Sequence, residues 1–549
     1  MQRRFLLATP LFLLACSSDP AINPPATDAG TDSPVQTDGG NGGATKPCTI
    51  KSTGTAGSVI QGRVLAPTGP IDGEVLVDAA GKIACVDVSC AQAAGYADAT
   101  VIQCTGSVIS PGLVNAHDHT DYATMGPEGH DQKRWQHRNG WRTGSGGETA
   151  LLPKPKSTND VTIIAAAELR FVLGGATSIL SSGGVGGLLR NVAAFKTPAQ
   201  LEGLTGKTAF FDTFPLGDSN GTQIASGCGY PSVRAPGAAF ADGNYAPHVS
   251  EGINAAAENE FACVKDTLVT NRTAIIHGVG LTATEVDQIQ SKGAMLIWSP
   301  RSNIDLYGNT APVTVMKNAG VPIALGTDWL PSGSMNMLRE LACADSMSQK
   351  YFAGAFTPED LWAMATKGSA KATGFGTQIG ELVVGEQADI AVFDGRSGTD
   401  YAAVVRGGVE DVHLVMRGGK VLYGDAAVTA ALGTSCADLD VCGEAKQVCI
   451  DVPSVTLDAI QTSIAAIYPL FFCKDKVPTG EPSCVPYRDS YPNGTSATDR
   501  DGDGVDDATD DCPDVFNPVR PLDNAKQSDI DGDGAGDACD AKPLDPGSK

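Results

Sequence analysis

The segment Gly112-Leu113-Val114-Asn115-Ala116-His117-Asp118-His119 is a short apolar run that ends in two histidines one residue apart. In an extended strand residues i and i+2 point the same way, so both imidazoles face one side at the strand's carboxyl end. That is half of a metal site. The chain has only seven histidines, and three further metal-type residues, His248, His277 and Asp328, each follow a strand-like run downstream. The pattern suggests groups gathered at one barrel mouth. His130, His137 and His413 lack this context and read as structural.

The elements that must position these groups alternate. Between Pro111 and about Phe375, short β-branched runs take turns with longer amphipathic stretches, as in parallel strands joined by helices. Strands are predicted at Thr177 to Leu180, Thr208 to Asp212, Thr273 to Ile276, Ala294 to Trp298 and Ile323 to Leu325, and helices at Val161 to Leu173, Ala255 to Leu268 and Pro358 to Thr366. The fold class is therefore α/β: a TIM-type (β/α)8 barrel over 111–375, with functional groups at strand carboxyl ends. The β-rich pieces 55–110 and 376–425 are each too small to stand alone and are expected to pair into one composite β-sandwich.

After the barrel, Ile379-Gly380-Glu381-Leu382-Val383-Val384-Gly385 and Ala388-Asp389-Ile390-Ala391-Val392-Phe393-Asp394 complete a set of motifs with Pro111 to His119 and Gly326-Thr327-Asp328. Together they resemble the amidohydrolase superfamily over roughly 55–425, in the branch that holds cytosine deaminase, guanine deaminase and triazine hydrolases. The family's His-x-x-Glu stands as His248-Val249-Ser250-Glu251, and Ser299-Pro300-Arg301-Ser302-Asn303 is similar to its small-x-x-Ser-Asn turn.

A divalent metal with three or four N/O ligands and one open position lowers the pKa of bound water from about 15.7 to about 7, giving hydroxide at neutral pH. His117, His119, His248 and Asp328 are the expected ligands of one such ion, zinc or iron. The resemblance implies that Asp328 also accepts the water's proton, that Glu251 carries it to the leaving nitrogen, and that His277 bonds the attacking water or a substrate oxygen, or ligates a second metal. Related binuclear sites use a carbamylated lysine after the fourth strand, but the nearby Lys207 precedes that strand, which favours one metal. Arg301, Asn303 and Trp329 are expected substrate contacts. So are Arg138 and Arg142, from a loop where Lys133, Arg134, Trp135, His137 and Trp141 also gather; it reads either as a lid clamping an anionic or aromatic substrate or as a surface loop pairing with local acids.

The two ends add other chemistry. Residues 1–16 carry Arg3, Arg4 and the apolar run Phe5 to Ala15, a signal peptide pattern too short to span a bilayer, and Leu13-Leu14-Ala15-Cys16 resembles a lipobox with Cys16 lipidated. Residues 17–54 read as a disordered tether. Export and anchoring to a bacterial membrane through Cys16 would follow, in the periplasm or at the cell surface. Fourteen other cysteines, an even number, then imply disulfides, and 426–498 reads as a small Cys-rich module. A net charge of −24 argues against nucleic acid and against anionic membrane surfaces as partners.

Residues 499–549 hold fifteen Asp against five Lys plus Arg. Asp499-x-Asp501-x-Asp503-Gly504 and Asp529-x-Asp531-x-Asp533-Gly534 alternate carboxylates before a glycine, a pattern that wraps a hard cation in oxygen. With Cys512-Pro513, Asn517-Pro518 and Cys539 they resemble thrombospondin type 3 repeats. The resemblance implies calcium held by Asp499, Asp501, Asp503, Asp507, Asp510, Asp529, Asp531, Asp533 and Asp537.

The sequence thus suggests an exported, lipid-anchored hydrolase opening a non-peptide C–N bond of a small nitrogen heterocycle or amide. The alternative is a surface calcium-binding or adhesion protein whose barrel is only a scaffold.

Overall fold

The computed structural model describes residues 47–127, 129, 130, 133–193, 198–433 and 436–548. The signal segment, Cys16 and the tether up to residue 46 lie outside the described residues. Residues 47–54 correct the expected tether boundary: Thr49–Ser52 is a strand paired with Thr100–Pro111, and buried Cys48 is bonded to Cys104. A cysteine and the β-branched pair Thr49 and Ile50 are enough to seat this stretch on the sheet.

Eight parallel strands carry the site: β1 (Leu113–Asp118), β2 (Ala176–Ser181), β3 (Arg190–Asn191), β4 (Phe210–Asp212), β5 (Tyr245–Val249), β6 (Ala274–His277), β7 (Met295–Trp298) and β8 (Ile323–Leu325). They form a three-stranded sheet in the order β1-β2-β3 and a five-stranded sheet in the order β8-β7-β6-β5-β4. The two sheets meet at single bridges, Ala193 with Ala209 and Asp118 with Asp328. Nearly every residue of these strands is buried, as expected for runs such as Ala274-Ile275-Ile276-His277 that are covered on both faces. Helices between them, among them Val161–Leu173, capped by Asp160, and Ala255–Val264, capped by Asn254, pack their apolar sides outside the strands.

The pieces on either side of this unit meet in one continuous ten-stranded sheet, where two sheets of a sandwich were expected. The joint is antiparallel, with Ile390 opposite Pro111 and Asp394 opposite Ser107. The Cys-rich stretch does not stand apart as a module. Its strands Ala437–Val441 and Glu444–Val448 extend the same sheet, and its helix Leu457–Ile464 packs against Val161–Leu173. Cys436–Cys449 and Cys442–Cys473 close it internally, while Cys484 reaches Cys343 on the helix Met337–Tyr351. Seven disulfides engage all fourteen cysteines after Cys16. Among the described residues no helix is long and apolar enough to cross a membrane.

Candidate active site

His117 near the end of β1, His248 near the end of β5 and His277 closing β6 converge with Asp328, which follows β8, and with His119 just past β1. The β1–β8 seam makes the meeting possible: Asp328 N donates to His117 O (3.1 Å) and His119 N donates to Asp328 O (3.2 Å). Gly326 lies so close to His117 that a Cβ would sit 2.9 Å from its Cβ and 3.0 Å from its N. His277 (φ +69°) and Asp328 (φ +62°) both hold left-handed backbone, which non-glycine residues adopt rarely and mostly where surrounding structure imposes it.

The donor atoms of His117, His119 and Asp328 lie within 4.8 Å of one another, and so do those of His117, His248 and His277. Asp328 Oδ1 is 3.3 Å from His117 Nε2 and 3.6 Å from His119 Nε2. Each of the other rings has a partner on its outer nitrogen: His248 Nδ1 lies 3.2 Å from Asp212 O, His277 Nδ1 3.1 Å from Asn303 Oδ1, and His119 Nδ1 3.3 Å from Ser182 Oγ. Such partners fix ring orientation and leave Nε2 for the centre of the cluster. Asp328 Oδ2 accepts from Ser302 Oγ at 2.6 Å.

Burial holds His117 and His248 below the ordinary histidine value and, with the neighbouring His117, pushes His119 down to about 3. Burial pushes the Asp328 carboxyl up, but the approach of His117, His277 and His119 outweighs it and keeps the group ionised. Neutral imidazoles beside a carboxylate are the protonation states a divalent cation requires. The residues fit such an ion on a second count: His117 is fully buried, yet its Nδ1 has no hydrogen-bond partner and its Nε2 meets only Asp328 Oδ1, without hydrogen-bond alignment. An unmet buried polar atom costs about 1–3 kcal/mol, which a cation would relieve.

Glu251 stands beside this cluster, with Oε2 3.8 Å from His277 Nε2. Tyr307 donates its hydroxyl to Glu251 Oε1 (2.7 Å) and accepts from Trp141 Nε1 (2.9 Å). The groups open on a cavity of about 520 Å³. Its walls include the aromatic rings of Tyr122, Trp141, Phe211, Phe214 and Trp329, with half-buried Arg142 and exposed Lys154.

Of the expected substrate contacts, Trp329 and Arg142 line this cavity, and Arg142 stacks over Phe214 at 4.3 Å. Arg138 also reaches it, but as a buried counter-ion of Asp218 (2.7 Å) and Glu260 (3.4 Å). Asn303 does not line it and instead holds His277. Arg301 is corrected outright. Successive residues of the helix Pro300–Tyr307 are about 100° apart, so Ser302 and Asn303 face the site while Arg301 points away to Ser334 Oγ (2.7 Å), Arg339 O (3.2 Å) and Pro482 O. Lys207 donates to Ala241 O, clear of the cluster. Sequence reasoning missed Tyr307, whose partner Glu251 is far away in the chain, and the aromatic wall residues Tyr122, Phe211 and Phe214.

A second cluster lies in the tail. The carboxylates of Asp499, Asp501 and Asp503 gather within 4.8 Å, as do those of Asp529, Asp531 and Asp533. Burial and neighbouring carboxylates push Asp501 up to about 8 and Asp503 up to about 6. Of the other expected ligands, Asp507 accepts from Arg500 N and Nε, and Asp537 accepts from Ser528 Oγ and Ile530 N. Asp510 does face the first loop, joined to Asp503 through Gln527 Nε2 (2.8 and 2.9 Å). Its counterpart one repeat later, Asp540, was missed; it is buried with one oxygen unpartnered. The shared offset from Asp499 to Asp529 would have found it.

Residues 238–422 match the Amidohydrolase family, a span that includes His248, Glu251, His277 and Asp328 but not His117 or His119. The chain is 38% identical over 124 residues to the 5-methylthioadenosine/S-adenosylhomocysteine deaminase of Halobacterium salinarum, covering 22% of this chain and 28% of that protein. It is 36% identical over 124 residues to the 8-oxoguanine deaminase of Pseudomonas aeruginosa, covering 22% and 27%. The matched segments thus span well under half the length of these relatives. Among solved structures, a triazine hydrolase variant aligns with a TM-score of 0.52 at 18% identity, covering 75% of this chain and 99% of that one. A mutant atrazine chlorohydrolase of Arthrobacter aurescens TC1, complexed with zinc and atraton, aligns with a TM-score of 0.51 at 19% identity, covering 74% and 99%. These structures share the fold.

Proposed function

We propose that this chain is a metal-dependent hydrolase of a non-peptide carbon–nitrogen bond, acting by hydrolytic deamination of a nitrogen heterocycle or by opening of a cyclic amide. The observation that carries this reading is the meeting of neutral His117, His119 and His248 with ionised Asp328, beside Glu251, under an aromatic-walled cavity. His117, His119, His248 and Asp328 would hold one divalent ion, zinc or iron, in the mouth of what we read as a TIM-type (β/α)8 barrel. Such an ion supplies water acidic enough to react at neutral pH.

The chain's own groups do the rest. Asp328, steadied by Ser302, accepts the proton of the attacking water. Glu251, with Oε1 fixed by Tyr307, carries that proton to the leaving nitrogen. His277, oriented by Asn303, presents Nε2 to the attacking water or a substrate oxygen. In deamination the water oxygen bonds to the ring carbon, the carbon–nitrogen bond breaks, and ammonia leaves. The named activities of the deaminases matched above favour a purine-type ring, and flat aromatic walls suit one.

The same reading gives calcium to the two acidic loops through the expected aspartates, Asp510 among them, with Asp540 as the one added ligand. It also places the protein outside the cytoplasm, anchored through Cys16, and seven disulfides support an oxidising compartment. The test is ammonia release by metal-loaded protein from 5-methylthioadenosine, 8-oxoguanine, pyrimidines, pterins and cyclic ureides, with ring opening followed in parallel. Turnover that disappears in Glu251→Gln and His117→Ala is expected. Turnover that survives both changes would overturn the assignment.

A further inference from the structure

The C-terminal segment grips the backbone that carries the catalytic groups. Arg520 Nη1 donates to the carbonyls of Val279 (3.3 Å) and Leu281 (3.0 Å), just past His277. Between them Gly280 N donates to Ser250 O (2.9 Å), and Ser250 directly precedes Glu251. Arg488 Nη1 donates to the carbonyls of Tyr307 (2.7 Å) and Trp135 (3.1 Å), and Tyr491 gives its hydroxyl proton to Gly308 O (3.2 Å). Tyr307 is the residue that fixes Glu251. The segment passes so near that a Cβ on Gly308 (φ +67°) would lie 2.1 Å from Tyr487 O.

These grips lean on the first acidic loop. Gly504 packs on Ser490 and Tyr491, where a Cβ would come within 2.4 Å of Ser490 O. Gln527 Nε2 gathers Asp503, Asp510 and Asn517, the last at 3.1 Å, and Arg520 lies three residues beyond Asn517. Covalent support is sparse: Cys484 is tied to Cys343, but the next disulfide, Cys512–Cys539, lies wholly within the tail. At the heart of the loop Asp501 is 1% exposed, and its Oδ2 has no hydrogen-bond partner. Carboxylates packed this closely repel when ionised, and a divalent cation among them would relieve that repulsion and tighten the loop.

We infer that the C-terminal segment positions the candidate active site: a divalent cation in the loop Asp499 to Asp510 fixes Arg488 and Arg520, which hold the backbone behind His277 and under Glu251. The inference rests on the calcium reading given above. It makes Arg488 and Arg520 positioning residues, and it makes calcium a requirement for order at a site that does not itself bind it.

The experiment is hydrogen exchange on the full, transition-metal-loaded chain, with calcium chloride in excess or removed by EGTA, beside a calorimetric calcium titration. Removal should speed exchange at Gly280, Leu281 and Gly308 by about tenfold or more, as local opening does. The helix Val161–Leu173 should be unchanged. With calcium present, Arg520→Ala and Arg488→Ala should speed the same amides, and Arg520→Lys should fall between them and the native chain. Calcium that binds without altering these amides would overturn the inference while leaving the calcium reading intact. Absence of calcium binding would sink the calcium reading and the cation's part in positioning. The arginine variants decide their own part separately, since native exchange rates in both would overturn it.

Discussion

Arg138 illustrates how the structure changes a residue's meaning. Its guanidinium is fully buried, with Nη2 2.7 Å from Asp218 Oδ2 and 3.4 Å from Glu260 Oε1, and Nη1 4.0 Å from Glu251 Oε2. Arg138→Met keeps an unbranched apolar stem and removes the guanidinium with its charge. Asp218 Oδ2 then keeps only Asn139 Nδ2 (3.0 Å) among its side-chain donors, and Glu260 keeps Ser250 N (2.9 Å) and His137 (3.2 Å). Removing one partner of a buried ion pair costs about 3–5 kcal/mol, a drop of about a hundred- to several-thousand-fold in the folded-to-unfolded ratio.

The pH dependence follows from Glu260. Burial pushes its carboxyl up, but Arg138 and His137 outweigh burial and hold it below the ordinary value. A depressed native pKa contributes stability above the unfolded value of about 4.3, and that contribution is lost as pH falls through the native value. Without Arg138 the burial effect prevails. The loss should therefore be greatest near neutral pH and shrink toward about pH 4. Urea unfolding followed by tryptophan fluorescence, with calcium present, measures both. A loss below about 1 kcal/mol at neutral pH, the scale of an exposed pair, would refute the argument, as would a loss that grows in acid.

Three further outcomes are expected. Ser302→Ala removes the hydrogen bond to Asp328 Oδ2 and should weaken transition-metal affinity about 10–100-fold in a chelator competition, with unchanged affinity counting against the ligand role of Asp328. Gly326→Ala should drive the His117 backbone aside and cost metal binding while circular dichroism stays native. His413 is buried between Asp394 (3.3 Å) and Asp425 (3.1 Å), which outweigh burial and raise its pKa. Its contribution is full below the unfolded value of about 6.5 and lost as pH rises through the native value, so Tm should fall over that window and His413→Gln should flatten the slope.

What the sequence made legible was what lies close along the chain. Runs such as Ala274 to His277 announce both a strand and the group at its end, and the helix Val161–Leu173 begins and ends where its apolar pattern does. By contrast, β3 is only Arg190–Asn191, with no apolar run to announce it. Arg301 and Ser302 are neighbours in sequence, but one turns to the C-terminal segment and the other to Asp328, because helix rotation separates adjacent side chains. Tyr307 and Glu251, Arg520 and Val279, and Cys484 and Cys343 meet only after folding, and no local pattern marks such pairs. The β-rich flanks announce strands in their own sequence, but their continuation into Glu444–Val448 depends on pairing with Lys420–Asp425.

The proposed chemistry depends on His117, His119, His248 and Asp328 holding a divalent transition metal. Elemental analysis of the purified full chain and of His117→Ala, each equilibrated with zinc, iron and calcium and then freed of loosely held ions, tests it most directly. One transition-metal ion per native chain is expected, absent from His117→Ala, with calcium retained by both. A native chain without transition metal, or a variant that keeps it in full, would rule out these four residues as the metal's ligands.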